Sequence, residues 1–134
     1  MNHLITVIRE VLYDCYPEGE KVLGGAPFNV AWNLCGMGEP SLFISAIGDD
    51  ELGKQVKVKA REWELPVHGI QTVPNAETGR VEVTLKNGKP EYEIRHPVAY
   101  DRIKVPVSLS YDPDCILYHG SLITRDPVSR ESLN

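Results

Sequence analysis

Gly24-Gly25-Ala26-Pro27-Phe28-Asn29-Val30-Ala31 reads as a turn opening into a helix, and the rest of the fold is worked out from it. The glycine pair predicts a tight turn. Pro27 suits the first helical turn, where a missing N–H costs nothing, and no Pro or Gly interrupts the chain again before Gly36. A helix over 26–37 is therefore expected, with Gly36 and Gly38 ending it.

Upstream, Leu4 to Leu12 is rich in Ile, Val and Leu and predicts a buried strand running toward Asp14, with a loop from Tyr16 to Leu23. Downstream, Ser41 to Ile47 predicts a second buried strand. Asp49 or Asp50 can cap a helix that carries Leu52, Val56, Ala60 and Trp63 on one face and ends by Pro66. His68 to Val73 predicts a third strand. The texture then changes to alternation, with Val81, Val83 and Leu85 between Glu82, Thr84 and Lys86, then Asn87-Gly88 and a second alternating run from Glu91 to Arg95. That is a β-hairpin signal. Cys115 to His119 returns to a buried-strand texture, and Asp126-Pro127 predicts a capped helix start.

Strand, helix, strand, helix, strand is the grammar of a parallel sheet covered by helices, with the hairpin set off it as a flap. The expected class is α/β with a small antiparallel β lid. Ligands of such sheets bind outside the carboxyl ends of the strands, here near Asp14, Gly24-Gly25 and Gly48.

The chain has 134 residues, 42% hydrophobic and 25% charged, which suits one soluble globular domain. Its net charge of −5, from 14 basic and 19 acidic side chains, offers no basic stripe to nucleic acid or anionic lipid. Cys15, Cys35 and Cys115 are too scattered for a disulfide framework or a zinc site, and the apolar run near Met1 is too short for a signal segment. A cytoplasmic protein with no nucleic-acid or membrane partner is expected. His3, His68 and His96 lack metal-ligand spacing, and no positioned His can be named to make Cys35 a nucleophile. Trp32 and Trp63 are read as packing residues.

Two rival sites fail on chemistry. Gly48-Asp49-Asp50-Glu51-Leu52-Gly53-Lys54-Gln55 has the glycine and lysine spacing of a P-loop, but Gln55 stands where a Mg²⁺-binding hydroxyl is needed and three acids stand where a triphosphate needs positive potential. His119, Asp126 and Arg125 can be drawn as an acid/base pair with a phosphate clamp; a strand-end His and a capping Asp are the simpler reading.

The glycine pair followed by Asn29 and Ala31, with Gly38 and Gly48 in register, resembles the first signature of the PfkB carbohydrate kinases. Glu10-Val11-Leu12-Tyr13-Asp14 upstream and Gly48-Asp49-Asp50-Glu51-Leu52-Gly53 downstream extend the resemblance. The hairpin with Tyr92 and Ile94, residues 96–101 and Tyr118-His119-Gly120-Ser121-Leu122 are similar to the fructokinase branch. Arg9 departs from it, since members usually carry glycine there.

The resemblance implies a three-layer, ribokinase-like parallel sheet, incomplete in this chain. Residues 1–134 would form the N-terminal sugar-binding part of the kinase domain, with lid elements near 10–23 and 79–96. It implies that Asp14 accepts hydrogen bonds from sugar hydroxyls, with Asn29 and the Gly24 and Gly25 amides completing the cradle. It further implies a small, fructose-like sugar as substrate and ATP with Mg²⁺ as co-reactants. The family's Gly-Ala-Gly-Asp stretch, which holds the catalytic Asp and the anion hole, has no counterpart here, so neither catalysis nor ATP binding is assigned to this chain. A non-catalytic sugar-binding module, or a homodimer formed through the lid, is the alternative expectation.

Overall fold

The structure, a computed structural model, describes residues 4–24, 26–39, 41–104 and 115–133, leaving out the side chains of 26–28. A four-stranded parallel sheet holds β1 (Ile5–Ile8), β4 (Ser41–Gly48), β5 (Ile70–Val73) and β8 (Ile116–His119), in the order β5-β4-β1-β8. Two helices, α1 (Ala26–Gly36) and α2 (Glu51–Glu62), form where the sequence predicts them, the second capped by Asp50; the turn expected at Gly24-Gly25 lies partly outside the described residues.

Alternation along β4 explains why the sheet has two covered faces. Successive side chains point to opposite sides, so Phe43 and Ile47 enter one core with Ala31, Leu52, Val56 and Ala60 from the helices. Leu42, Ile44 and Ala46 enter the other, with Tyr100 and Ile123 from two 3-10 turns, Ala99–Arg102 and Leu122–Arg125, and Ile103 just after the first. All eight residues of β4 are buried, as a central parallel strand requires. Beyond the second turn, Asp126 accepts from the Val128 N–H and caps the short α3 (Pro127–Glu131).

Leu4 to Leu12 is not one strand. The chain leaves the parallel sheet after Ile8, crosses at Arg9 to Val11 and enters a second sheet as β2 (Leu12–Cys15). The segment expected as a loop supplies β3 (Lys21–Gly24), which turns back on β2. With β6 (Gly79–Lys86) and β7 (Lys89–Ile94) these make a four-stranded sheet of order β3-β2-β6-β7. The sheet is mixed and not purely antiparallel, because β2 and β6 run parallel. Strands so far apart in the chain are free to pair in parallel, whereas a short hairpin is not. The β6–β7 turn is as predicted: Asn87 and Gly88 both take positive φ, 54° and 76°, which is the geometry of a two-residue hairpin.

Two expectations of burial are corrected. β8 forms where expected and pairs with β1, yet all four of its residues are exposed, Ile116 and Leu117 by about half. Its apolar texture was right for a parallel strand, but as an edge among the described strands it lacks neighbours on its far side. Trp63 does not join the buried face of α2. It caps the helix and stays 46% exposed, packing on Trp32 at 5.4 Å between ring centroids and donating from its indole to the Trp32 carbonyl at 2.8 Å.

Candidate functional site

Strand pairing decides which side chains share a face. Asp14 is paired with Val81 and with Val22, so its side chain lies on the same side of the second sheet as those two and as Ile94, the partner of Val81. Leu12 and Gly24 pair one step along that face. The absence of a side chain at Gly24 gives the carboxylate its room: a Cβ there would stand 3.3 Å from Asp14 Oδ2. Asp14 is half-buried, with the partly exposed Val22 and Ile94 beside it. The structure thus brings Asp14 and Gly24 together, with Gly24 as the last residue of β3 and not part of a free turn. Gly25 lies outside the described residues. Asn29 is exposed on α1, where it lines an open groove of about 280 Å³ with Trp32, Asn33 and Trp63.

The P-loop-like segment is filled by protein. Asp50 Oδ1 accepts from the Gly53 N–H at 2.8 Å and the Thr78 hydroxyl at 2.6 Å, and Oδ2 accepts from the Thr78 N–H at 2.9 Å. Burial pushes this carboxyl up, but the Thr78 hydroxyl and the Thr78 and Gly53 amides outweigh it and hold its pKa below the ordinary 3.8. Gly48 closes the junction by donating to Thr78 Oγ1 at 3.0 Å. The helix start is consumed in joining α2 to β6.

Arg125 is likewise engaged. It donates from Nε to Asp101 Oδ1 at 2.7 Å and from Nη2 to Asp101 Oδ2 at 2.9 Å, to the Arg95 carbonyl at 2.7 Å and to the Tyr100 hydroxyl at 3.1 Å. The bidentate bond to the fully buried Asp101 raises its affinity for the proton further. A phosphate clamp is not what this guanidinium does. It ties the end of β7 to the second core. His119 bonds the neighbouring Gly120 carbonyl, and Asp126 is the cap of α3.

Sequence reasoning passed over Glu10. Its residue is 4% exposed, and Oε2 is buried without a hydrogen-bond partner. Burial raises its pKa above the ordinary 4.5, against the pull of its own backbone N–H and of Arg9. The available signal was an acid within an otherwise apolar run, directly after the last residues of a parallel strand.

A helix-covered parallel sheet joined to a small mixed sheet defines an α/β fold, with a carboxylate and a glycine facing each other on the small sheet. Residues 10–97 match the pfkB family carbohydrate kinase family, and the chain belongs to it. It is 31% identical over 93 residues to fructokinase-2 of Solanum lycopersicum, covering 69% of this chain and 28% of that protein. To the fructokinase of Klebsiella pneumoniae it is 33% identical over 89 residues, 63% of this chain and 29% of that one. Among solved structures, an uncharacterized sugar kinase of Pyrococcus horikoshii in complex with ATP matches with a TM-score of 0.82 at 28% identity, over 96% of this chain and 47% of that one. Fructokinase of Vibrio cholerae O395 in a fructose-, ADP- and calcium-bound form shares the fold, with a TM-score of 0.79 at 22% identity, over 98% of this chain and 44% of that one. The chain spans less than two-fifths of the length of the curated relatives it matches and about half of the solved ones.

Proposed function

We propose that this chain is the sugar-binding part of an ATP-dependent kinase for fructose or a similar small sugar, with Asp14, Gly24, Gly25 and Asn29 as its sugar ligands. The observation that carries the reading is the half-buried Asp14 carboxylate standing against Gly24 on one face of the second sheet, beside the exposed Val22 and Ile94. A half-buried carboxylate can accept two hydroxyls of one sugar, and the missing side chain lets the ring approach the backbone. On this reading the second sheet is the lid, with elements near 10–23 and 79–96. ATP, with Mg²⁺, would supply the phosphoryl group to a sugar hydroxyl. The residues described here do not fit those groups: no three His, Cys, Asp or Glu side chains are gathered to hold a metal ion, and the Asp50-capped helix start is filled by protein donors. The chain's own part is to bind and orient the sugar, and by itself it is expected to give only the blank rate in a coupled ADP-release assay with fructose.

The test is calorimetry of fructose with this chain and with Asp14→Ala. A loss of about 1.5–3 kcal/mol is expected for removing a charge-assisted acceptor. Equal affinity in the two proteins rejects Asp14 as a ligand. A reducing compartment such as the cytoplasm suits the free thiols Cys15, Cys35 and Cys115. Among the described residues no helix is long and apolar enough to cross a membrane.

A second reading, a homodimer through the lid, is favoured by the exposed apolar side chains Val22, Leu85, Tyr92 and Ile94 on that sheet. Sedimentation across a range of concentrations should show association that Tyr92→Lys abolishes. A single monomeric species throughout would remove this reading.

A further inference from the structure

β1 and β8 are neighbours in parallel register, Ile8 beside His119, so Arg9 and Gly120 are the next residues at their carboxyl ends. The Arg9 guanidinium lies directly on Gly120, where a Cβ would fall inside it. Its outer edge is held by exposed contacts: Nη1 donates to the Tyr118 hydroxyl at 3.0 Å, and Cζ stands 5.4 Å from the Tyr118 ring centre. Its inner edge is poorly served. Nη2 is a loose 3.5 Å from Glu10 Oε1, while Arg9 Nε and Glu10 Oε2 are buried with no hydrogen-bond partner.

We propose that Arg9 is a gate over a second polar-ligand subsite, in which Glu10 receives a hydroxyl of a neutral polyol. The choice of a sugar as that polyol rests on the function proposed above. Four observations meet here. The position is the crevice at the ends of adjacent parallel strands, where such sheets bind ligands. A donor and an acceptor are both left unsatisfied in the closed arrangement, which native proteins seldom tolerate without a purpose. Arg9 is the flexible end of a long side chain; swinging outward would give up an exposed bond to Tyr118 and a loose 3.5 Å pairing with the buried Glu10, which a ligand hydroxyl has to replace. Once it swings, Gly120 offers no side chain to refill the space, and Glu10 Oε2 is uncovered.

The chemistry selects a hydroxyl over a phosphate. A hydroxyl can donate to Oε2 in the place the guanidinium leaves, whereas an anionic oxygen would meet the Glu10 carboxylate. Burial, which disfavours the charged carboxylate, adds to the demand for a donor at Oε2.

Fructose titrated into this chain should move the Arg9 Nε–H resonance, assigned by its loss in Arg9→Lys, with the same saturation as calorimetric binding. Glu10→Gln, which keeps shape and removes the strong acceptor, should weaken fructose about tenfold. If Glu10→Gln does not fold, the resonance in the native chain decides alone. Fructose binding that Asp14→Ala weakens, with the Nε–H resonance still or with Glu10→Gln unchanged, overturns the gate and leaves the primary site standing. Gluconate binding more tightly than fructose overturns the choice of a neutral hydroxyl. No fructose binding at all overturns the sugar-site reading, and this subsite with it.

Discussion

Two acids in this molecule, Asp50 and Glu10, each follow closely on a parallel strand, and the fold treats them in opposite ways. Asp50 has three donors within 2.9 Å, and both its oxygens are used. Glu10 is more deeply buried, has its own backbone N–H and a loose cation at 3.5 Å, and keeps one oxygen unpaired. Their pKa values move accordingly, Asp50 down and Glu10 up. A structural carboxylate is recognised by its completed donors; one that the protein leaves incomplete is available to something else.

The largest effect should come from breaking the Asp50 junction at its tightest point. Gly48 packs on backbone from the turn before β6: a Cβ there would collide with the Ala76 carbonyl oxygen and stand 2.7 Å from the Thr78 N. Neither neighbour is a flexible side-chain end, so Gly48→Ala should cost about 3 kcal/mol or more. Urea unfolding measures it. A loss below about 1 kcal/mol would mean the junction yields, and that Asp50 is not held in the rigid frame described.

The next effect is Asp50→Asn, which keeps shape but gives up the charge accepting from Thr78 and Gly53. A loss of about 1–2 kcal/mol at neutral pH is expected. The pH dependence carries a sign. Because the folded pKa is lowered, the ionised form stabilises the fold above the ordinary value of 3.8, and that stability disappears as pH falls through the folded value. Unfolding midpoints collected between pH 7 and pH 2 should therefore converge for the native chain and Asp50→Asn at the acid end. Parallel curves would deny Asp50 the role of a charged cap.

The comparison also marks how far the sequence could be read. Pro27, Asp50, Asn87-Gly88 and Asp126-Pro127 announced a helix start, caps and a hairpin turn correctly, because each acts through its own backbone or the next few residues; Gly24, expected in a tight turn, ends a strand instead. The motif carried the family. What was illegible depended on distant partners. Leu4 to Leu12 looks continuous because both sheets want the same apolar residues, and nothing local marks Arg9 to Val11 as the crossing. Segment 16–23 gave no sign of a strand, since β3 is stabilised by its pairing to β2. β8 has the composition of a buried strand, but burial belongs to what lies alongside. At the candidate site, the motif pointed to Asp14 and Gly24, while their facing each other required the β2–β3 register. Glu10 was missed because an unpaired oxygen is visible only once every neighbour has been placed.

The smallest effect, and the one that tests the comparison most directly, is Glu10→Gln. Its folded pKa is raised above the ordinary 4.5, so between that value and the folded one the native state holds more protons than the unfolded chain. Stability contributed by Glu10 must then fall as pH rises through this window, the reverse of Asp50, so that above the ordinary 4.5 Glu10 is a net burden on the fold. Gln removes that burden while still offering an oxygen to Arg9 Nη2. The variant should accordingly unfold at a higher urea midpoint than the native chain at pH 7, by a margin that vanishes below about pH 4.5. A variant more stable yet weaker for fructose would show a residue kept at the expense of the fold. A Glu10→Gln protein that is less stable at pH 7, with a profile running parallel to that of the native chain, would put Glu10 in the same class as Asp50 and end the contrast.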